Sequence, residues 1–536
     1  MKKDRFWICL YKKIVNRYTV YSNYYYIIIL LLILNKREYN VSYKSFNDDN
    51  LKLMTKIESS KRNNTTIESF GGTGGCVTGS CHRVTINNDK FLVDLGMYQG
   101  KFEERSKQGI RRNFQPMKDV ANGVKSVLET HVHIDHVGRL PMIFKDGFTP
   151  TVLASELTAE LMEPVLLNSA EIQENKPPQE RLYDKWDVDK TLRHVKGVKP
   201  FKMVEIGKNI TAEFILNGHI FGGSSIFVRN HSSGKNIFFT GDMGKPYQSL
   251  CGGYKEYVDR FPKDPINALM IESTNFERQP ISFEEKKRKF LEEIYKTWEG
   301  GGNPLFPTLS LHRTPELMEL ICNCQKSGEL PNDFEIIIDA PYAMKLLNKT
   351  KDLGPKYLSR RFGDDPSFYK TDESSMARFD LENLTIIESH QTSLLNDKEM
   401  ARYPGKAIII ASGGMGEFGR SVNYIHGDFG KNPKNVILFN CYQVPGTEGC
   451  ELTQRENIIR NKKTGARIAK LEGFTSHISG PDETFEFLNR FNLNELETVI
   501  ITHGKDSSRI AMADEFKRRG YGAKIILSQI NQAINC

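Results

Sequence analysis

Residues His131 to His136, "HVHIDH", place three histidines and an aspartate in six positions, at the end of the apolar run "KSVLETH" (125 to 131). In an extended segment side chains alternate, so His131, His133 and Asp135 point to one side. His136 breaks that period, which fits a chain that turns into a helix after Asp135. Imidazole with carboxylate is the ligand set that suits zinc and related first-row metals. Four ligands are too few for two closed sites, and two metals fit the cluster better than one. Further candidates stand in suitable settings: His219 in the Gly-flanked loop of "LNGHIFGGSS", Asp242 directly after a strand in "FFTGDMG", and His503 in "IITHGKD". A lone histidine or a Gly-Asp turn is more often structural, but together and in this order they argue for a metal centre.

The elements that must position these side chains read as α/β. Short β-branched or aromatic runs recur, each ending at a polar or Gly-rich break: "FLVDLG" (91 to 96), "KSVLETH", "NIFFTGD" (236 to 242), "ALMIEST" (268 to 274), "AIIIASGG" (407 to 414), "NVILFN" (435 to 440) and "TVIITHG" (498 to 504). Ligands in α/β folds gather at the carboxyl ends of strands, so Asp94, His131, Asp242, Glu272 and His503 are expected on one rim. Between the strands, residues 282 to 299 predict a helix with Phe283, Phe290, Leu291 and Ile294 on one face, and its Lys286, Lys287, Arg288 and Lys289 read as a solvated face.

Composition sets only a frame. A chain of 536 residues with 39% hydrophobic and 26% charged content suits a folded protein of two or three domains. The formal charge of +8 is concentrated at one end: residues 1 to 53 hold 10 Lys/Arg against 4 Asp/Glu, so net charge is no argument for a nucleic-acid partner. Nine scattered cysteines without a C-x-x-C framework suit a reducing compartment and predict no structural disulfides. The block "YYYIIILLLIL" (Tyr24 to Leu34) falls short of the roughly 20 apolar residues of a membrane span. The expectation is therefore a poorly ordered extension ahead of a start near Met54, in an intracellular, cytoplasmic protein. Membrane anchoring through residues 20 to 34 is the rival reading.

At this point the motifs carry a resemblance. "FLVDLG", "HVHIDH", "GHIFGG" and "FTGDMG" resemble the four successive motifs of the metallo-β-lactamase superfamily. "IESTNFERQ" (271 to 279), "ASGGMGEFGR" (411 to 420), "CYQVPGTEGCEL" (441 to 452), "GFTSHISG" (473 to 480) and "THGKDSS" (502 to 508) resemble its β-CASP branch, as do "VTGSC" and "RNFQP" upstream. That branch contains the nuclease subunits of the pre-mRNA cleavage machinery and bacterial and archaeal ribonucleases. The likeness runs in family order from about residue 67 to about residue 530.

The resemblance implies an αββα sandwich with an inserted β-CASP α/β cap. The corresponding division is an N-terminal extension (1–53), the first part of the metallo-β-lactamase domain (54–275), the cap (276–472) and the second part of the core domain (473–536). It implies one zinc on His131, His133 and His219, a second on Asp135, His136 and His503, and Asp242 bridging them. Two zincs about 4 Å apart lower the pKa of a hydroxide between them and neutralise an attacked phosphate, which is phosphodiester hydrolysis. Asp135, Glu272 and His477 are the implied catalytic groups, with Glu272 orienting a neighbouring histidine and His477 protonating the departing sugar oxygen. Asp94 is expected to support the metal-binding loops.

Departures from the family pattern are Ser476 and Ser479 around His477, Lys505 where a carboxylate is usual, and His312 in "SLHRT" where glycine is frequent. His312 is expected on the surface of the cap. The implied function is a zinc-dependent ribonuclease acting on single-stranded RNA, alone, as a homodimer or within an RNA-processing complex. The alternatives are a small-molecule hydrolase of lactonase or thioesterase type, disfavoured by the cap motifs, and a non-catalytic subunit, disfavoured by the intact ligand set.

Overall fold

The structure is a computed structural model that describes residues 65–99, 111–248, 251–350, 381–388, 405–454 and 465–536. All of them belong to one compact unit, Arg62–Cys536. The apolar block at 24 to 34 and the rest of the extension lie outside the described residues. Among those described, no helix is long and apolar enough to cross a membrane, and no disulfide joins the cysteines.

Strands β1 (Thr65–Gly71), β2 (Cys81–Ile86), β3 (Asp89–Val93), β4 (Val124–Glu129), β5 (Thr151–Ser155) and β6 (Val195–Val198) open the chain. They are followed by β7 (Met203–Gly207), β8 (Ile210–Leu216), β9 (Ser224–Asn230), β10 (Asn236–Phe239) and β11 (Ala268–Glu272). A third group comprises β12 (Pro304–Thr308), β13 (Glu335–Asp339), β14 (Leu384–Ile386), β15 (Ala407–Ser412), β16 (Val436–Phe439) and β17 (Arg467–Lys470). The chain closes with β18 (Thr498–Thr502), β19 (Lys524–Leu527) and β20 (Ala533–Asn535). The helices that matter for the site are α1 (Ile134–Val137), α2 (Glu156–Glu174), α3 (Phe283–Glu299), α4 (Arg313–Lys326), α5 (Gly480–Leu488) and α6 (Asp506–Arg518).

The strands form three sheets, ordered β20-β1-β2-β3-β4-β5-β6, β19-β18-β11-β10-β9-β8-β7 and β14-β13-β15-β12-β16-β17. The first two face each other across a dry layer containing Ile67, Phe91, Leu128, Phe214, Ile237 and Ile500. The outer face of the first packs on α2 through Leu157, Leu161 and Leu166, and that of the second on α5 and α6 through Phe485, Leu488, Met512 and Phe516. These layers are the αββα sandwich. The third sheet is parallel throughout and buried on both faces, as parallel sheets are. One face packs on Phe290, Ile294, Leu317 and Ile321 of α3 and α4, the other on Tyr424, Ile425 and Leu452.

Two features of this topology create the site. β3 and β4 are parallel neighbours in the first sheet, and β10, β11 and β18 in the second. Their carboxyl ends therefore lie side by side, where Asp94, His131, Asp242, Glu272 and His503 emerge. The third sheet is inserted between β11 and β18, which pair directly through Glu272 and Thr502. A chain that leaves β11 and returns to β18 through a whole domain must hold that domain near the ligand cluster.

Close backbone approach locks the rim. Leu95 N donates to His136 O (2.7 Å), Met97 N to Ile134 O (3.0 Å) and Arg139 N to Leu95 O (2.9 Å). Gly96 between them leaves no room for a side chain, since a Cβ there would stand 1.6 Å from Asp135 O. The cap carries its own buried charge. Lys286 Nζ donates to Glu316 Oε1 at 2.9 Å, and Arg313 pairs with the other oxygen. The expectation of a solvated face thus fails at Lys286, which is buried, while Lys287, Arg288 and Lys289 pair with Glu329, Glu285 and Glu472.

Gly96→Ala is expected to cost about 2–3 kcal/mol or more by overpacking and to loosen the "HVHIDH" turn, measured by denaturant unfolding. A second expectation concerns acid. Burial raises the Glu316 carboxyl, but Arg313 and Lys286 outweigh it and hold its pKa at about 2, below the ordinary 4.5. A depressed carboxylate contributes stability that is present above the unfolded pKa and lost as pH falls through the folded one. Stability should therefore decline between about pH 4.5 and 2. Glu316→Gln should flatten that segment of the curve while costing about 3 kcal/mol at neutral pH, because it leaves buried cations uncompensated.

Candidate metal centre

β4 ends at Glu129, and Thr130 begins the turn that delivers the ligands. Asp94, at the end of β3 with φ 60, accepts from Thr130 N (2.8 Å) and Thr130 Oγ1 (2.9 Å) through Oδ1, and contacts His136 Nδ1 (2.7 Å) through Oδ2. A carboxylate only accepts, so His136 donates from Nδ1 and turns Nε2 inward. The period-two reading of the motif holds only to His133. Helix α1 starts at Ile134, one residue before Asp135, with His133 as its extended N-cap. Asp135 therefore projects with His136 from a helical turn, not with His131 from a strand.

Seven side chains converge in two groups. His131, His133, His219 and Asp242 form one, and Asp135, His136 and His503 the other; within each group the donor atoms lie within 4.8 Å of one another. Asp242 lies between them: Oδ2 is 3.6 Å from both His131 Nε2 and His219 Nε2, and Oδ1 is 3.4 Å from His136 Nε2 and 3.5 Å from His503 Nδ1. Backbone anchors come from residues that the sequence did not single out. Asn217 accepts from His219 N (3.1 Å) and donates to Asp242 O (2.8 Å), tying two ligand loops together. Thr274 Oγ1 lies 3.0 Å from His503 Nδ1.

The electrostatics separate the histidines. Burial pushes His131 and His219 well below the usual imidazole range and His133 down to about 4. These three are neutral at ordinary pH, with lone pairs available to a cation. Burial also disfavours charge on His136 and His503, but Asp242 outweighs it for both, with help from Asp94 for the first and Asp135 for the second, and both are raised. Burial raises Asp242, yet His503, His136 and His477 hold it well below the carboxylate range.

This donor set fits bound metal. His131 Nε2 and His133 Nδ1 lie 3.0 Å apart, His133 Nδ1 and His219 Nε2 3.2 Å, and His136 Nε2 and His503 Nε2 3.2 Å. Buried imidazoles that turn nitrogens toward one another at such distances need a proton or cation between them, and N/O donors in these numbers suit zinc and its neighbours.

Beside the seven stands a second pair. His477 Nδ1 lies 2.9 Å from Glu272 Oε1, and Glu272 is itself fixed by Met243 N (2.9 Å) and Thr274 N (2.8 Å). Orientation of Nδ1 by the carboxylate leaves His477 Nε2 facing Asp242, 3.6 Å from Oδ2. Beneath the site a cavity of about 20 Å³ is lined in part by His82, Asp94, Glu272 and His503, room for one water. His82 bonds Ser69 (2.9 Å) and Ser80 (3.3 Å), and Ser80 donates to Asp94 (3.2 Å). The signal was in view as the residue after "VTGSC". Lys505 stands at the N-cap of α6, with its ammonium 5.9 Å from the Tyr442 ring. His312 departs from its expected place: it is 1% exposed and lies between cap and core.

Comparison with known proteins agrees with this geometry. Residues 74–280 match the metallo-beta-lactamase superfamily and residues 314–452 the Beta-Casp domain. A ribonuclease of Thermus thermophilus is 28% identical over 449 residues, covering 83% of this chain and 94% of that protein. A transcription termination factor of Lokiarchaeum sp. is 27% identical over 457 residues, 81% of this chain and 66% of that one. A crystal structure of a protein of unknown function from Enterococcus faecalis superposes with a TM-score of 0.51 over 88% of this chain and 100% of that chain at 13% identity, which speaks to the fold alone. With its sandwich, its inserted cap and both family domains in order, the chain belongs to the β-CASP branch of the metallo-β-lactamase superfamily and is a hydrolase of that class.

Proposed function

We propose that the protein is a two-zinc ribonuclease that hydrolyses phosphodiester bonds of single-stranded RNA in the cleft between core and cap. The observation that carries this reading is the pairing of two ligand groups around one buried carboxylate, Asp242, with His477, held by Glu272, aimed at the same carboxylate. The relatives named as a ribonuclease and as a transcription termination factor support RNA as substrate.

His131, His133 and His219 would hold one ion, Asp135, His136 and His503 the other, with Asp242 between them. When bound, the ions supply positive charge against the attacked phosphate and a nucleophile at neutral pH. The chain's own groups do the rest. Asp94 fixes His136 with Nε2 inward, and Asn217 keeps the loops of His219 and Asp242 in register. Glu272 accepts a hydrogen bond from His477 Nδ1 and sets the ring, so that the Nε2 proton of the imidazolium passes to the sugar oxygen as the P–O bond breaks. The inserted cap, placed over the strand ends by the β11 to β18 connection, forms the other wall of the cleft. We place the functional boundary between core and cap near residues 275 and 473.

The protein is expected to bind close to two zinc ions per chain, and His133→Ala or His503→Ala to lose about one, as measured by elemental analysis after desalting. Asp94→Asn, which spoils the orientation of His136, should weaken zinc affinity by about 10–100-fold in a chelator competition. Folded wild-type protein without metal at neutral pH would contradict the two-metal reading.

The decisive test of the acid role uses His477→Ala. That variant should keep its zinc and cleave RNA more slowly by about 100-fold or more. A substrate with a sulfur leaving atom needs no protonation, so it should recover much of the rate with His477→Ala and little with His503→Ala. Matched single-stranded DNA should be cut less well than RNA, and a preference for DNA would overturn the substrate assignment.

A further inference from the structure

The first turn of cap helix α4 has an unusual backbone. Leu311 O accepts from Arg313 N at 2.9 Å, across the single residue His312, which has φ 69 and ψ −46. This is a γ-turn of the strained hand, rare for any residue and retained where surrounding contacts over-determine it. Those contacts are visible, and they lead to two different loops of the core. His312 Nε2 donates to Gln248 Oε1 (2.9 Å), and Gln248 Nε2 donates to the carbonyls of Gly218 (2.9 Å) and His219 (3.2 Å). Arg313 gives one guanidinium nitrogen to Glu316 and another to the hydroxyl of Ser476, the residue before His477.

The second branch lies beside the proposed proton donor. Arg313, Glu316 and Ser476 are all buried, and Lys286 pairs with the other carboxylate oxygen of Glu316. The segment that carries His477 returns from β17 to the core through Gly473, which has φ 90 and whose carbonyl accepts from Lys245 at 3.2 Å. After His477 the backbone is pinned to the core by Ile478 N donating to Met243 O (2.9 Å). Before it, the anchor at Ser476 is a cap residue. The ring of His477 is therefore aimed from both sides, by the core through Glu272 and Met243 and by the cap through Arg313.

We propose that Arg313 is a positioning residue for His477, acting through Ser476, so that proton delivery depends on a bond between cap and core. This rests on the reading of His477 as the leaving-group acid. A guanidinium paired with Glu316 is a fixed donor, and its fork reaches Glu316 and Ser476 together.

The test compares Ser476→Ala and Arg313→Lys with the wild-type full-length chain, on RNA with an oxygen or a sulfur leaving atom. Arg313→Lys keeps the charge beside Glu316 without the fork, so it decides the matter if Ser476→Ala fails to fold. The expected result for either is a fall in kcat of about tenfold on the oxygen substrate. KM and zinc content should be unchanged, and the sulfur substrate should be cleaved at nearly the wild-type rate. Adding Ser476→Ala to His477→Ala should cost nothing further, because both act through one group. Full activity on the oxygen substrate, equal losses for both leaving atoms, or an additive double variant would each overturn the proposal. Failure of the acid reading shows itself separately, as equal losses for both leaving atoms in His477→Ala alone. In that event ring NMR of His477 decides the positioning role: one narrow set of signals in wild type and exchange-broadened signals in Ser476→Ala support it, and unchanged signals refute it.

Discussion

Asp242 is 3% exposed and has five imidazoles around its carboxylate, those of His131, His136, His219, His477 and His503, each with a nitrogen between 3.4 and 3.6 Å from one of its oxygens. A carboxylate without compensation at such depth is costly, and so is a set of imidazoles whose nitrogens face one another. The rings resolve this unequally. Those nearest Asp94 and Asp135 are pushed toward the charged form, and those of the first group toward the neutral form. A cation in each group would relieve both costs, in place of the protons that Asp242 draws toward His136 and His503.

The fold meets this requirement with strand ends. Two sheets that each carry parallel neighbours present their carboxyl ends at one rim, and the ligands follow those ends on short loops, His503 directly after Thr502 of β18 and His131 just past Glu129 of β4. Rigidity comes from backbone contact without intervening side chains. Gly96 lies against Asp135 O, and Gly244 lies against the backbone of Asn217 to His219, where a Cβ would come within 2.3 Å of His219 N. These glycines let the four motif loops pack as one layer. The cap adds a second layer of constraint, because the chain leaves the rim at Glu272 and returns to it at Thr502.

Much of this was legible in the sequence. The strands around "FLVDLG", "NIFFTGD" and "TVIITHG" and the helix of residues 283 to 299 could be read from periodicity, since buried parallel strands are short apolar runs with polar ends. The ligand types showed in their spacing, and the β-CASP motifs gave the cap. What could not be read was long-range or finely local. The start of α1 at Ile134, two residues before the expected His136, shifts Asp135 from one face to another. Lys286 looked solvated because its partner, Glu316, is 30 positions away. His312 looked like a surface residue because neither its positive φ nor its bond to Gln248 leaves a mark in the local sequence. His82 and Asn217 were passed over because their bonds, to Ser69 and Ser80 and to the backbone of His219 and Asp242, leave no spacing signal in the local sequence.

The central claim is that the two ligand groups around Asp242 hold two metal ions at once. Anomalous difference maps from crystals of the full-length protein, collected on both sides of the zinc absorption edge, test it most directly. The account predicts two peaks in the buried cluster, one within coordinating reach of His131, His133 and His219, the other of Asp135, His136 and His503, with Asp242 between them. A single peak, or none in crystals grown with zinc present while the histidines keep the same arrangement, would contradict it.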